Sequence, residues 1–471
     1  MCPSWKETRE RRHSPKGRAQ LIREWLRQLA ALGFDPLEES RRLRRDAGWR
    51  TLPARLRNTW ARRRGEPDFS HEVKEALDGC LACKSCSGQC PIKVDVPTFR
   101  SKFFELYHGR YLRPSRDYVV GSIEHLVPLM ARMPGLANAL AGRGPGRTAL
   151  RAVGLVNTPT LSGLDIGREL RERGVAVATP EALRALDDAE RARSVVVVQD
   201  AFTSHYETPL LLDLLDLARA LGFRPWLAPY RPNGKALHVH GFLRAFERAA
   251  AANAAVLQAL AATGVELVGL DPSMTLAYRS EYAGALDKGR LPTVLLVQEW
   301  LARHRDALPA VGGGAAYQLL PHCTERTTAL AAVRDWSAVF AAFGLRLAIL
   351  PSGCCGMAGT WGHEAEHRAA SERIYALSWA HHVAAAGTSG TLLADGYSCR
   401  SQAKLVDGVK LAHPVQALLA AIRRPTATAA QPEAAPRGAE TAGLHQTPVD
   451  AEAAQMGGLE RRPAPAPRVR L

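Results

Sequence analysis

Four thiols crowd one short stretch of this 471-residue chain: Cys80, Cys83, Cys86 and Cys90, with Pro91 directly after the last. The pattern C-x2-C-x2-C-x3-C-P has the spacing of a ferredoxin-type iron–sulfur ligand run. Nothing else in the sequence restricts the fold as sharply, because chain that aims four side chains at one point cannot also be a regular helix or strand. Two-residue spacers suit a tight turn that hands successive sulfurs to one small body, and Gly79 and Gly88 supply backbone freedom. Pro91 keeps the chain from curling back over the site. Four thiolates at short spacings also suit Zn²⁺, so the spacing leaves two metals in play.

The rest of the chain reads as globular. Its apolar fraction of 46% is ordinary, and the length has room for two to four domains. The first residues are polar and charged, without the apolar core of a secretory leader. No window approaches the roughly 18 apolar residues of a membrane helix. Clustered cysteines in such a chain favour metal binding over disulfides, and the reading is cytoplasmic with no membrane span. The net charge of +16 hints at nucleic acid, but residues 1–66 hold 18 Lys+Arg against 8 Asp+Glu, so +10 of it sits in one N-terminal segment. No DNA- or RNA-binding module accompanies it, so no nucleic-acid partner is expected.

That basic segment is periodic through Leu21, Ile22, Trp25, Leu26, Leu29 and Leu32, which predicts a helix that must pack on something else. Past the thiol run, Val96-Pro97 opens a helix carrying Phe99, Phe103, Phe104 and Tyr107. Gly142 to Arg147 reads as a loop. From residue 190 the grammar changes to alternating strands and helices. Ser194–Gln199 is a buried-strand signature, and the same order recurs from Tyr317. Gly222-Phe-Arg-Pro-Trp-Leu-Ala-Pro229 lies over Gly344-Leu-Arg-Leu-Ala-Ile-Leu-Pro351 at an offset of 122 residues. Gly234 lies over Gly356. Duplication of an α/β unit, each around a parallel sheet, explains the register. Residues 425–471, rich in Pro and Ala, are expected to be disordered.

The second unit carries four more thiols, Cys323, Cys354, Cys355 and Cys399, each just past an expected strand, where loops gather at one sheet edge. At the 122-residue offset the first unit has Ala201, Pro232, Asn233 and Ala277 in their places, so it has no thiol with which to hold a metal. His322 and His363 are weighed as extra ligands, and Arg400 and Lys404 as groups that offset charge or bind a carboxylate. Cys2 has no partner pattern and reads as incidental. Cys90 is expected to complete the first site.

These residues carry a resemblance. Cys323, Cys354-Cys355-Gly356 and Cys399 resemble the CCG cysteine-rich domain of heterodisulfide reductase B and glycolate oxidase iron–sulfur subunits, which occurs in tandem. Cys80-Leu-Ala-Cys-Lys-Ser-Cys86, Gln89-Cys-Pro-Ile-Lys-Val-Asp-Val-Pro97, Tyr107-His-Gly-Arg-Tyr-Leu-Arg-Pro114, Gly353-Cys-Cys-Gly-Met-Ala-Gly-Thr360 and Gly396-Tyr-Ser-Cys-Arg-Ser-Gln402 are similar to the C-terminal half of bacterial FAD-linked D-2-hydroxyacid dehydrogenases of the D-2-hydroxyglutarate type. The resemblance implies an α/β fold with a small α-helical ferredoxin-like segment followed by a tandem pair of CCG-type repeats. The expected organisation is a basic helical arm (1–67), a helical [4Fe–4S] domain (68–150), a degenerate CCG repeat (190–310), a cysteine-bearing one (311–423) and the tail. It implies a [4Fe–4S] cluster on Cys80, Cys83, Cys86 and Cys90, and at Cys323, Cys354, Cys355 and Cys399 a second cluster, zinc or free thiols. Gln402 sits where some CCG domains place a fifth cysteine. The family's FAD domain is not in this sequence, so FAD is expected on a partner chain or missing domain. The expected role is an electron-transfer subunit or fragment relaying electrons from flavin to an external acceptor, without hydroxyacid activity of its own. The alternatives are a heterodisulfide-reductase-like catalytic subunit and a non-catalytic metal-binding scaffold.

Overall fold

The computed structural model describes residues 2–45, 50–92, 94–311, 314–387, 389–423 and 468–470. The basic segment does not stand apart. Its main helix, Pro15–Ala31, starts where the Ser14 side chain accepts from Gly17 N–H, and it buries Ile22, Trp25 and Leu29. These meet Phe69, Val73 and Leu77 of the helix Phe69–Asp78 and Phe103 and Tyr107 of the helix Val96–Arg110 in one core. Trp25 and Phe103 meet edge to face with ring centroids 5.0 Å apart, and Trp25 Nε1 donates to Ser70 Oγ at 3.0 Å. Each such side chain contributes about 1.5–3 kcal/mol on burial. The helix that looked unpartnered in sequence is therefore one wall of the domain that carries the first thiol run.

The expected loop at 142–147 is instead the junction of two helices, Pro134–Gly142 and Gly144–Ala152. Pro145 falls in the first turn of the second helix, where its missing N–H costs nothing. Of the tail, only 468–470 are described, and the expected disorder of the remainder lies outside the described residues. Val469 is buried in the N-terminal core, with its N–H on Gln28 Oε1 at 2.7 Å, so this described piece of the tail packs on the rest of the chain.

The rest is two parallel sheets. Strands β1 (Ser194–Val198), β2 (Arg224–Leu227), β3 (Glu266–Gly269) and β4 (Leu295–Leu296) form the first, in the order β2-β1-β3-β4. Strands β5 (Ala316–Leu320), β6 (Arg346–Ile349) and β7 (Leu392–Ala394) form the second, in the order β6-β5-β7, and a parallel bridge from Leu393 to Ala412 takes the fourth place. Ser194 faces Arg224 as Ala316 faces Arg346, so the 122-residue offset holds in both strand pairs. It also holds for the helices Thr208–Ala220 and Leu330–Ala342, each ended by a left-handed glycine, Gly222 (φ 79°) and Gly344 (φ 74°).

By the third strand the offset has slipped. Gly269 stands beside Val198 and Ala394 beside Leu320, an offset of 125. The residue equivalent to Cys399 is therefore Met274, one turn before the expected Ala277. The two units pack reciprocally. Thr208–Ala220 lies on the last helix of the second unit, Pro414–Arg423, while Leu330–Ala342 lies on its counterpart in the first, Val297–Arg303. Leu211, Leu215, Trp300, Trp336, Phe340 and Leu418 fill the shared core, related by an approximate two-fold axis.

Candidate metal centre

The first thiol run hangs between two capped helices. Asp68 caps Phe69–Asp78 by accepting from Ser70 N–H, and Asp95 caps Val96–Arg110 by accepting from Thr98 N–H. Between them Ala82 (φ 51°) and Lys84 (φ 57°) both take left-handed backbone, so the chain folds sharply on either side of Cys83. Each costs about 1–2 kcal/mol for an L residue, strain of the kind that persists where surrounding structure holds a functional site in place. Cys86 lies in the short helix Ser85–Gln89, which Cys90 ends.

The second set gathers as the strand edges require. Cys323 opens the helix Cys323–Thr328 after β5, Cys354 and Cys355 follow β6, and Cys399 lies in the helix Tyr397–Val406 after β7. Gly356 has φ 86°, and a Cβ there would stand 2.2 Å from the Ser371 carbonyl oxygen, so only glycine makes this turn. The four thiols form a string in which Cys323 contacts Cys354, Cys354 contacts Cys355, and Cys355 contacts Cys399. All are free cysteines; Leu320, Met357, Tyr375 and Trp379 wall Cys355 and Cys399, while Cys323 and Cys354 lie against Leu81, Trp361 and Ile374. The hydrogen bond to Cys354, then burial, pushes the Cys323 thiol well above its ordinary range. For Cys399 the hydrogen bond with Cys355 favours the thiolate, yet burial and the neighbouring thiols win and push it up to about 11.

The two sets meet. The Ser85–Gln89 helix packs on Cys323–Thr328, and Thr327 Oγ1 donates to the Cys83 carbonyl at 3.1 Å. Trp361 Nε1 donates to the Asp78 carbonyl at 2.9 Å, and Leu81 shares an apolar cluster with Cys354, Trp361 and Ile374. A cavity of about 460 Å³ is lined by Cys83, Cys323 and Cys354 together. Burial, then the Cys323 thiol, raises Cys83 well above its ordinary value.

Cys2, which has no partner pattern in the sequence, lies near the first thiol run. Its sulfur receives Arg18 Nη1 at 3.6 Å, and Arg18 also donates to the Ala76 carbonyl and lies against Gly79, beside Cys80. Cys80 and Cys2 are the thiols that act on Cys86, which burial pushes up to about 11. Cys2 precedes Pro3 as Cys90 precedes Pro91.

Positive charge reaches one of the thiols, since Lys235 acts on Cys323. Lys84 Nζ lies 3.2 Å from Glu281 Oε1 and Lys235 Nζ 3.8 Å from the same oxygen, so a buried and a half-buried ammonium group share one carboxylate. The other candidates have different tasks. His322 caps the Cys323 helix, with Nδ1 accepting from Thr324 N–H at 3.3 Å, while its backbone N–H donates to Asp395 Oδ1 at 2.7 Å. The His363 carbonyl accepts from Val156 N–H, and burial lowers the ring to about 4. Arg400 is bound to Glu207 and to the Ala394 carbonyl, joining the two units. Gln402 fills the place of a fifth thiol with an amide that donates to Ser371 Oγ at 2.9 Å and accepts from Arg368. In the first unit Asn233 donates to the Met274 carbonyl, closing the degenerate site. Glu364, Glu366 and His367 lie close enough to share a cation, but Arg116 already pairs with both carboxylates.

The sequence is 52% identical over 423 residues to a D-2-hydroxyglutarate dehydrogenase of Pseudomonas putida, covering 89% of this chain and 41% of that protein. It is 48% identical over 427 residues to the D-2-hydroxyglutarate dehydrogenase of Escherichia coli K12, covering 90% of this chain and 42% of that one. This chain is similar to one part of those dehydrogenases. It spans about two fifths of their length. A more distant similarity, 24% over 248 residues, links half of the chain to 61% of one subunit of the anaerobic glycerol-3-phosphate dehydrogenase of E. coli. No family model matches, and no solved structure matches. Among the described residues no helix is long and apolar enough to cross a membrane.

Proposed function

We propose that this chain is the iron–sulfur electron-transfer part of an FAD-linked D-2-hydroxyacid dehydrogenase, relaying electrons from flavin on a partner subunit or domain to an external acceptor. The observation that carries it is the docking of Cys83 against Cys323 and Cys354, which strings thiols of both sets from Cys86 to Cys399. Similarity to dehydrogenases over about nine tenths of the chain supports the oxidoreductase class.

In this reading Cys80, Cys83 and Cys86 hold a [4Fe–4S] cluster. Its fourth thiolate comes from Cys2, with Cys90 as the rival, because in two-cluster ferredoxins the cysteine before proline ligates the other cluster. Cys323, Cys354, Cys355 and Cys399 hold a second cluster. When bound, such a cluster would carry one electron at a time. The chain supplies the setting: Lys235 offsets charge at Cys323, and Met357, Tyr375 and Trp379 exclude water from Cys355 and Cys399. The bonded amide of Gln402 weighs against a heterodisulfide-reductase-like site, which would place a fifth thiolate there.

Anaerobic purification with iron, zinc and EPR analysis tests this reading. Iron at about four atoms per centre with a reducible signal is expected. Stoichiometric zinc without iron overturns it in favour of a metal-binding scaffold.

A further inference from the structure

The approximate two-fold axis gives each α/β unit a groove at the same place, and the two grooves differ in charge. Arg279, Thr293 and Glu299 line the first, with Asp335 beside them. The strand registers make Lys404, Lys410 and Gln416 their counterparts in the second, with Asp213 in place of Asp335. The first groove is closed by an ion pair: Arg279 Nη1 donates to Glu299 Oε1 at 2.8 Å, Nη2 bonds Oε2, and the Leu296 N–H fixes Glu299 at 2.9 Å. In the second groove Gln416 keeps only the backbone half of that role. Its Oε1 accepts from His413 N–H at 3.1 Å, and its amide is spent on Asp213 at 2.8 Å.

Lys404 has thus lost the carboxylate that its counterpart has, and Lys410 adds a second ammonium where the first groove has a threonine. Neither has an ion-pair partner among the described residues, and nearby Arg400 is neutralised by Glu207. Beside them lies a cavity of about 360 Å³. One part of its wall is apolar and aromatic, Pro209, Leu210 and Leu411 with Tyr206 and Tyr397, whose ring centroids lie 6.0 Å apart, and the rest is polar, with Thr158, Thr160 and Ser401 and with Glu207 held by Arg400. An aromatic wall next to unpaired cations selects a ligand with both a π face and an anion.

We propose that this groove binds a planar aromatic or quinonoid molecule bearing one anionic group, its ring against Tyr206 and Tyr397 and its anion beside Lys404 and Lys410. The site opens one helical turn from Cys399, on the helix that carries Tyr397 and Arg400. Its existence does not depend on what the thiols hold.

The test is a titration of the full chain with anthraquinone-2-sulfonate, followed by calorimetry and absorbance. One saturable site is expected, weakened about tenfold in the exposed double variant Lys404→Gln/Lys410→Gln, the cost of losing two partly solvated ion pairs. Gln416→Glu, which gives Lys404 the carboxylate that Arg279 has, should weaken binding similarly. The first groove already tolerates a glutamate beside Asp335, so this variant keeps the fold. Glu299→Gln in the closed groove should leave the affinity for the probe in the open one unchanged. The proposal is overturned by no saturable binding, by equal affinity in wild type and the double variant, or by equal affinity for the neutral quinone menadione.

Discussion

Thr327 gives its hydroxyl to the backbone carbonyl of Cys83 at 3.1 Å and so ties the first thiol run to the helix that begins at Cys323. The contact leaves no slack. Gly88 lies against the same residue, and a Cβ there would stand 2.8 Å from the Thr327 carbonyl oxygen. Gly88→Ala should therefore push the two helices apart and destabilise the chain by about 1–3 kcal/mol. Urea denaturation measures this, and limited proteolysis should cut the variant sooner at 79–95. Wild-type stability in the variant would mean that the two thiol sets do not dock.

The fourth ligand of the first centre is decided by a pair of serines. If Cys2 completes the site with Cys80, Cys83 and Cys86, then Cys2→Ser removes the iron and EPR signal of that centre while Cys90→Ser retains them. The reverse pattern would return Cys90 to the place that its spacing suggests. Arg18, which donates to the Cys2 sulfur, is buried and also bonds Ser4 and Ala76. Arg18→Gln should accordingly lower iron retention at this centre and leave the second centre intact.

Much of the fold was legible in the residue pattern alone. Local signals with a fixed register came through: the repeat at 122 residues matched β1 to β5, β2 to β6 and the helices between them to the residue. What escaped lay where register or sequence distance breaks. The long helix Leu243–Ala261 has two shorter helices as its counterpart, Arg368–Ala376 and Ala380–Ala386, whose outer ends already stand at an offset of 125, so the register slips in the loop before them. No matching side chains mark the slip, so the residue pattern pairs Ala277 with Cys399 in place of Met274. The approach of Cys2 to the first thiol run carries no pattern, because only tertiary packing through Arg18 brings it there. The burial of Val469 escaped because a tail poor in large apolar residues carries no pattern for one docked side chain.

The thiols themselves should behave as protonated groups until metal arrives. Burial holds Cys86 up at about 11, and Cys399 reaches about 11 against the hydrogen bond with Cys355. Both lie above the ordinary 9.0, so the stability that they lend the metal-free fold is full below about pH 9 and is lost as pH rises through 11. Metal must displace those protons. Adding Fe²⁺ or Zn²⁺ to reduced, metal-free chain at pH 7 should release close to one proton per thiol bound, read in a weakly buffered titration. Cys399→Ser should release one fewer. Binding without proton release would show that the thiols are not the ligands.

Lys84 and Glu281 set the acid limit. Burial alone would raise the Glu281 carboxyl, but the ammonium groups of Lys235 and Lys84 hold it down at about 2, below the ordinary 4.5. A depressed carboxyl contributes stability that is present above about pH 4.5 and is lost as pH falls through 2, here about 3 kcal/mol in all. The unfolding free energy of wild type should therefore converge on that of Glu281→Gln across this window, whereas at pH 7 the variant is the weaker. Lys84→Met removes one of the two ammonium groups and should move the acid transition to higher pH. The same substitution takes a positive charge from beside Cys83, so it should also lower the reduction potential of the first centre. A parallel pH profile in Glu281→Gln and wild type would mean that the buried pair does not form. An unchanged potential in Lys84→Met, with the acid shift present, would mean that the pair forms but clamps the chain without tuning the metal.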